Sequence, residues 1–422
     1  MAGAAGVVEV QPADTFQSLS LFQTSNRQAD FSTHTSSGFA MTLALTNARV
    51  LTPQGWRDDV AVLLDDGNVL DVVPSSDARV QQAEQQDLHG AMLLPGFIDT
   101  QVNGGGGVLF NEAPTVETIR QIGAAHRRFG TTGFLPTLIS DNVETMRAAM
   151  AAVEQALADN VPGVLGIHLE GPYLAPARKG VHDPKFFHAP GSEELAMLCA
   201  PHAGVRLMTL APDQVASESI KSLAAAGLVL CAGHTAADYD TTKAALADGI
   251  RGFTHLFNAM TPLGSREPGV VGAALDDAQS WCGLIVDGHH VHPATLRSAI
   301  AAKPRGKMLL VTDAMPPVGA DHPDFVLNGE TITAKDGICQ TAQGTLAGSA
   351  LDMAGAVRNT VEMLGLPMDE AVRMASTYPA DFLGLSDSHG RIAAGYRADL
   401  VVMDDDYKIT QSWIGGVANS RA

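Results

Sequence analysis

Short apolar runs dominate the chain from Met41 onward, and their spacing changes along it. Leu43–Val50, Val60–Leu64 and Asn68–Val73 read as strands, with a hairpin turn signal at Asp65–Gly67. A similar signature returns late in the chain, at Phe325–Leu327, Gly337–Gln340, Ala398–Met403 and Gln411–Gly415. Two β-rich ends around a different middle predict one small β-domain assembled from both.

The middle, about 92–385, alternates apolar runs with Ala-rich stretches of helical period such as Val143–Ala158 and Thr241–Asp248. Eight runs qualify as strands: Met92–Asp99, Gly133–Leu138, Val164–Glu170, Val205–Leu210, Leu228–His234, Gly252–His255, Trp281–Val286 and Lys307–Asp313. Eight such units predict an α/β fold, a (β/α)8 TIM-like barrel with a small β-sandwich domain built from both chain ends. A doubly wound open sheet is the alternative, but it usually has fewer strands. The expected organisation is a tail over 1–40, sandwich over 41–91, barrel over 92–385 with a β insertion at about 325–343, and sandwich again over 386–422. Residues 1–40 are rich in Ser, Thr, Gln and Ala and lack the basic start and apolar centre of a secretory signal. They read as a flexible tail, with Met41 a candidate start of translation.

Composition narrows the function classes. The 27 Lys+Arg against 46 Asp+Glu leave a net charge of −19, which argues against a general nucleic-acid binder. It does not exclude an anionic small substrate, since a pocket can be locally positive. No apolar stretch reaches the roughly 18 residues that a membrane span requires. The 4 cysteines form no CxxC pair and read as core thiols of a reducing, cytoplasmic compartment.

Polar groups stand at the ends of the apolar runs: Asp99, Glu170, His234, His255 and Asp313. In a barrel the C-terminal strand ends converge on one face, where the active site lies. Glu170, His234 and His255 there suit a zinc-like cation, with one position left for a water whose pKa it lowers. Asp313 could accept that water's proton and pass it to a leaving amine. Any one such group taken alone is more often a hydrogen-bonded structural residue; five at comparable positions weaken that explanation. Asn258 and the Ala259 backbone face ligand if the strand breaks into a loop after His255; otherwise Asn258 caps a helix. Arg266, on the Gly/Pro loop Gly264–Gly269, could fork onto phosphate, although a solvated loop arginine is commoner. His289, His290 and His292 follow a strand, and alternation lets only some of them face a pocket. Gln101–Gly107 lacks the spacing and lysine of a nucleotide-binding loop. Gly344–Ser349 is a small-residue loop able to approach a ligand closely.

Several segments together carry a resemblance: PGFIDTQVNGGGG, HLEGPYLAPARKGVHDP, AGHTAADYD, FTHLFNAMTPLGSREPG, VDGHHV, TDAMPPVG and GTLAGSALDM, followed by GRIAAGYRADLVVMD. In order and over about 41–415, they resemble the N-acetylglucosamine-6-phosphate deacetylases of the amidohydrolase superfamily. The resemblance implies metal-dependent removal of acetate from a phosphorylated amino sugar by a homodimer. It implies Glu170, His234 and His255 as metal ligands, Asp313 as acid/base and His182 as the group polarising the acetamide carbonyl. Asn258, Ala259 and His290 become sugar-phosphate contacts, and Arg266 the phosphate contact from the neighbouring subunit. Val181, Leu346, Ala347, Gly348 and Gln101 complete the expected pocket.

Where many of the superfamily carry His-x-His, this chain has Gln101-Val102-Asn103. Amides are poor zinc ligands, so one divalent ion per subunit is expected, with zinc preferred and iron, cobalt or manganese as alternatives. Two rival functions stand beside this one. Another amidohydrolase, acting on a cyclic amide or amine, would need no anion contact. A catalytically dead scaffold would be expected to have lost a ligand or the acid/base. The residues do not choose between N-acetylglucosamine and N-acetylgalactosamine 6-phosphates.

Overall fold

The computed structural model describes residues 42–335 and 337–419. The expected tail and the strand start at Met41 lie outside the described residues.

Eight parallel strands run in chain order round one sheet: Phe97–Val102, Thr131–Ile139, Gly166–Glu170, Val205–Leu210, Val229–Ala232, Ile250–Phe253, Trp281–Leu284 and Met308–Leu310. The ring closes just beyond the eighth strand. Asp313 N donates to Gln101 O at 3.0 Å and Asn103 N donates to Ala314 O at 2.9 Å. Closure removes both sheet edges and excludes the doubly wound alternative. The strands are buried along nearly their whole length because both faces are covered, inward by barrel filling and outward by helices. Val143–Ala158 shows the helical side of that arrangement. Asn142 Oδ1 accepts from Thr145 N to cap it, and Met146, Ala149, Met150, Val153 and Ala156 form its buried stripe.

Both chain ends build a second unit of two sheets. One orders Asn68–Pro74, Val60–Asp65, Leu43–Thr46 and Glu84–Asp87; the other orders Val417–Ala418, Ile409–Ile414, Leu400–Met403, Met92–Pro95, Arg49–Thr52 and Gly55–Arg57. Leu45, Val50, Val62 and Leu93 pack with Leu400, Val402 and Trp413 between them. The run expected as one strand, Leu43–Val50, is two, because Asn47 takes a φ of 52° and turns the chain onto the other sheet.

The grouping of all late strands with the chain ends is corrected, in favour of the separate insertion at about 325–343. Phe325–Leu327 and Gly337–Gln340 share the strand signature of the chain ends but do not join the sandwich. They lie in a separate antiparallel sheet of Asp324–Leu327, Glu330–Lys335, Ile338–Gln340 and Leu346–Ser349. Phe325, Leu327, Ile332 and Cys339 bury themselves against Leu109, Ile139 and Met315, at the C-terminal end of the barrel. Alternation reports that one face of a strand is buried, and not which partner buries it.

Candidate active site

Glu170 is the last residue of the third strand, and His234, His255 and Asp313 follow the fifth, sixth and eighth by two or three positions. The latter three all have positive φ: 48°, 32° and 52°. Left-handed backbone is unfavourable for residues with a Cβ, and such positions gather at functional sites. Each turn aims a side chain back over the barrel axis. These groups and His182 meet round a cavity of about 230 Å³.

Three donor atoms converge there. Glu170 Oε1 lies 3.1 Å from His255 Nε2 and 3.4 Å from His234 Nε2, and the two Nε2 atoms are 3.1 Å apart. Ligands on a small tetrahedral cation, with bonds of about 2.0–2.2 Å, stand roughly 3.3 Å from one another. His234 Nδ1 donates to Arg178 O at 2.9 Å, so its Nε2 carries the lone pair. His255 Nδ1 is buried with no partner among the described residues. Two imidazole nitrogens and a carboxylate sharing one point are the donor chemistry of a divalent site, and the residues fit the ion.

His182 belongs to an overlapping group, with a ligand atom within 4.8 Å of others from Glu170 and His234. Its tautomer separates it from the donor triad. Ser140 N donates to His182 Nδ1 at 3.2 Å, which leaves the ring proton on Nε2. That nitrogen lies 3.9 Å from Glu170 Oε2 and can donate into the cavity. Burial, reinforced by the neighbouring His234, pushes the imidazole down to about 3, so it is a neutral donor.

Burial alone would raise Glu170, but its contacts with His234 and His255 hold the carboxyl well below the usual carboxylate range. Asp313 goes the other way: burial, then the charge of Glu170, push it up to about 6. Gln101 Nε2 at 3.1 Å and Asn103 Nδ2 at 2.6 Å both donate to Asp313 Oδ1. Gln101 Nε2 also reaches Glu170 Oε1 at 3.1 Å. The two amides standing at the His-x-His positions thus clamp the carboxylates.

His290 Nδ1 lies 2.6 Å from Asp287 Oδ2, which aims the opposite ring edge towards the cavity. His289 is exposed, and His292 caps the helix Pro293–Ala302. Val181, Asn258, Ala259, Leu346 and Gly348 line the cavity. Asn258 caps no helix; the next begins at Gly269. Two expected contacts stand elsewhere. Gln101 is only 2 % exposed and its amide is committed to the carboxylates, while Ala347 packs in the core of the insertion sheet. Arg266 is exposed on its loop and does not line its own chain's cavity. Neither lysine nor arginine lines that cavity among the described residues.

Ser140, Asp287 and the Arg178 carbonyl were not singled out in the sequence. Ser140 and Asp287 carried one signal, a polar residue directly after a buried run.

A closed barrel with a cation-ready triad and a carboxyl poised near neutrality defines a metal-dependent hydrolase. The sequence pattern of the amidohydrolase family matches residues 92–419, and the chain belongs to that family. It is 42 % identical over 375 residues to an N-acetylgalactosamine-6-phosphate deacetylase of Shewanella sp. (strain ANA-3), covering 89 % of this chain and 95 % of the relative. An N-acetylglucosamine-6-phosphate deacetylase of Haemophilus influenzae is 35 % identical, over 90 % of this chain and 99 % of its own. The crystal structure of N-acetylglucosamine-6-phosphate deacetylase from Pasteurella multocida superposes with a TM-score of 0.87 at 34 % identity, covering 90 % of this chain and all (100 %) of that one. No helix among the described residues is long and apolar enough to cross a membrane.

Proposed function

We propose that this chain hydrolyses the acetamide of N-acetyl-D-glucosamine 6-phosphate to D-glucosamine 6-phosphate and acetate, in cytoplasmic amino-sugar breakdown. The observation that carries the reading is the meeting of Glu170 Oε1, His234 Nε2 and His255 Nε2 beside Asp313 and the Nε2–H of His182.

Glu170, His234 and His255 hold one divalent ion, zinc by preference for two imidazoles and a carboxylate. When bound, the ion supplies Lewis acidity to water and to the amide oxygen. Asp313, held near neutrality and clamped through Oδ1, accepts a proton from the attacking water. His182 Nε2–H donates to the acyl oxygen as negative charge grows there. Asp313 then returns its proton to the departing amine nitrogen. The amine, once free, leaves with the sugar.

The phosphate end is the domain of His290, Asn258 and Ala259. A dianion in a cavity without lysine or arginine calls for charge from outside the subunit. Arg266, on an exposed loop beside the 59 % exposed Leu263, supplies it to the neighbouring site of a homodimer. A second reading, the C4-epimeric N-acetylgalactosamine 6-phosphate, is favoured by the name of the Shewanella relative. The test is acetate release from both 6-phosphates and from their unphosphorylated parents, with metal content measured on the same protein. Faster release from one 6-phosphate decides the epimer. Equal turnover without phosphate, or none with stoichiometric metal, overturns the reading.

A further inference from the structure

A cavity of about 560 Å³ opens at the face of the barrel opposite the catalytic groups. Thr132, Leu165, Val205 and Val229 line it from the starts of the second to fifth strands, whereas Glu170 and His234 stand at strand ends. Its volume falls within the roughly 300–1,000 Å³ of small-molecule sites. Leu157, Val161 and Leu383 complete its aliphatic walls, and no Phe, Tyr or Trp lines it among the described residues. Such walls suit an aliphatic body and give a flat ring nothing to stack on. The polar end comes from the segment that returns to the sandwich. Arg397 Nε donates to Asp399 Oδ1 at 3.0 Å, and Gly415 N donates to the same oxygen at 2.7 Å. Asp399 is only 7 % exposed, and its Oδ2 has no hydrogen-bond donor among the described residues. The two terminal guanidinium nitrogens of Arg397 have no acceptor among them either. His389 Nε2 lies 3.8 Å from Asp399 Oδ2, beyond hydrogen-bond reach. Ser388 Oγ donates to Leu385 O at 3.4 Å and so accepts from His389 Nδ1 at 2.8 Å, which leaves the ring's lone pair on Nε2. Burial lowers this imidazole from its ordinary value and keeps it neutral. Two acceptors, Oδ2 and Nε2, therefore flank one gap.

That gap calls for a group with several protons to give, and an ammonium has three. The free guanidinium nitrogens beside it call for a carboxylate. A ligand of net negative charge meets Asp399 and one of net positive charge meets Arg397. A head that carries both charges on one carbon satisfies the pair and buries no net charge. We propose that this cavity binds a free α-amino acid with an aliphatic side chain. Its ammonium bonds Asp399 Oδ2 and His389 Nε2, its carboxylate bonds Arg397, and its side chain lies against Leu157, Leu165 and Val205. The end of a peptide does not qualify, since it carries only one of the two charges. Asp399 directly precedes the sandwich strand Leu400–Met403, so the ligand ties the floor of the barrel to the sandwich and stabilises that seam.

The test is calorimetry of the metal-loaded protein with L-leucine as the probe. L-Leucinamide keeps the ammonium alone, N-acetyl-L-leucine keeps the carboxylate alone, and L-serine keeps the head without an aliphatic body. L-Leucine should bind with a Kd below about 1 mM, and each of the other three at least about tenfold more weakly. Asp399→Asn keeps an acceptor for Arg397 and removes the partner of the ammonium, so it should weaken leucine at least about tenfold. Leu157→Trp, at the half-buried end of Val143–Ala158, fills the cavity and should abolish binding; Val205→Phe fills it from the strand side. Both filled variants should match wild type in metal content, which shows that they fold, and the comparison of the four ligands decides without any variant. A wild-type Kd above about 1 mM for leucine overturns the proposal, as does equal binding of leucinamide or N-acetyl-leucine. Leucine binding that survives both filled variants also overturns it, placing the amino acid on the catalytic metal through its amine and carboxylate.

Discussion

Asn103 Nδ2 donates to Asp313 Oδ1 across 2.6 Å, joining the segment after the first barrel strand to the segment after the eighth. The contact lies at the closure of the ring, where Asn103 N also donates to Ala314 O at 2.9 Å. One residue thus helps close the barrel with its backbone and holds the proposed base with its side chain. Asn103→Ala keeps the backbone bond and removes the amide. Burial and the charge of Glu170 raise the Asp313 carboxyl, and the amide opposes them. Without it the carboxyl rises further and loses its orientation. The expected result is a fall in kcat/KM of about 10–100-fold, with the acid limb of the pH profile displaced upward. An unchanged limb would mean that the amide only fills space.

Asp313 must be ionised to accept a proton, and its carboxyl is pushed up to about 6. Activity should therefore fall as pH drops, with a limb at or below about 6, because a bound cation can only lower the value further. Asp313→Asn should lose roughly 10²–10⁴-fold in kcat, and the remaining rate should lack that limb. Its metal content should match wild type, since Asp313 is not in the donor triad. A variant with near-normal turnover removes Asp313 from the proton path.

The barrel was legible because burial on both faces writes most of each strand as apolar residues, and the proposed ligands follow directly at the run ends. What the runs do not record is orientation. The resemblance put Gln101 among the pocket contacts, yet its amide faces the two carboxylates. Ser140 sets the tautomer of His182 from 42 positions away, a relation that no local spacing encodes. The insertion strands alternate like those of the sandwich because both have one buried face, and only the packing of Phe325 and Leu327 against Leu109 separates them.

Asp99 offers a test of stability rather than activity. It is fully buried and accepts from Thr312 Oγ1 at 2.5 Å, Gln101 N at 3.2 Å and Thr312 N at 3.3 Å. Burial outweighs these donors and pushes the carboxyl up to about 7. A folded value above the unfolded one, about 3.9, means that the native state holds the proton more tightly. That contribution is complete below about pH 4 and is lost as pH rises through about 7, on the order of a few kcal/mol. Asp99→Asn cannot ionise, and Thr312 Oγ1 can turn to Gln101 O, 3.3 Å away. Denaturant unfolding between pH 5 and 8 (about the window where the group titrates) should show a shallower loss of stability with pH in Asp99→Asn. Equal slopes would mean that Asp99 stays charged in the fold.

The proposed reach of Arg266 into a neighbouring site can be tested directly. The loop that carries it is stiff: Gly264 N donates to Glu267 O at 3.0 Å, and Glu267 Oε1 accepts from Tyr239 N and Gly269 N, each at 2.9 Å. A stiff, exposed loop is suited to presenting a guanidinium to another molecule, since little rotamer freedom of the backbone is lost on contact. Arg266→Ala should raise KM for the 6-phosphate by about 10–100-fold, with a much smaller change for the unphosphorylated sugar. Mixing then separates a shared site from a self-contained one. In a two-fold dimer, a subunit carrying Asp313→Asn still lends Arg266 to its partner, and a partner carrying Arg266→Ala still holds Asp313. Re-association of the two variants in equal amounts makes hybrids with one intact site in two; assayed with substrate well below the wild-type KM, where each variant alone is nearly inactive, the mixture recovers about a quarter of wild-type activity. If Arg266 instead serves its own subunit, no hybrid contains an intact site and the mixture shows no more activity at low substrate than the mean of the two variants.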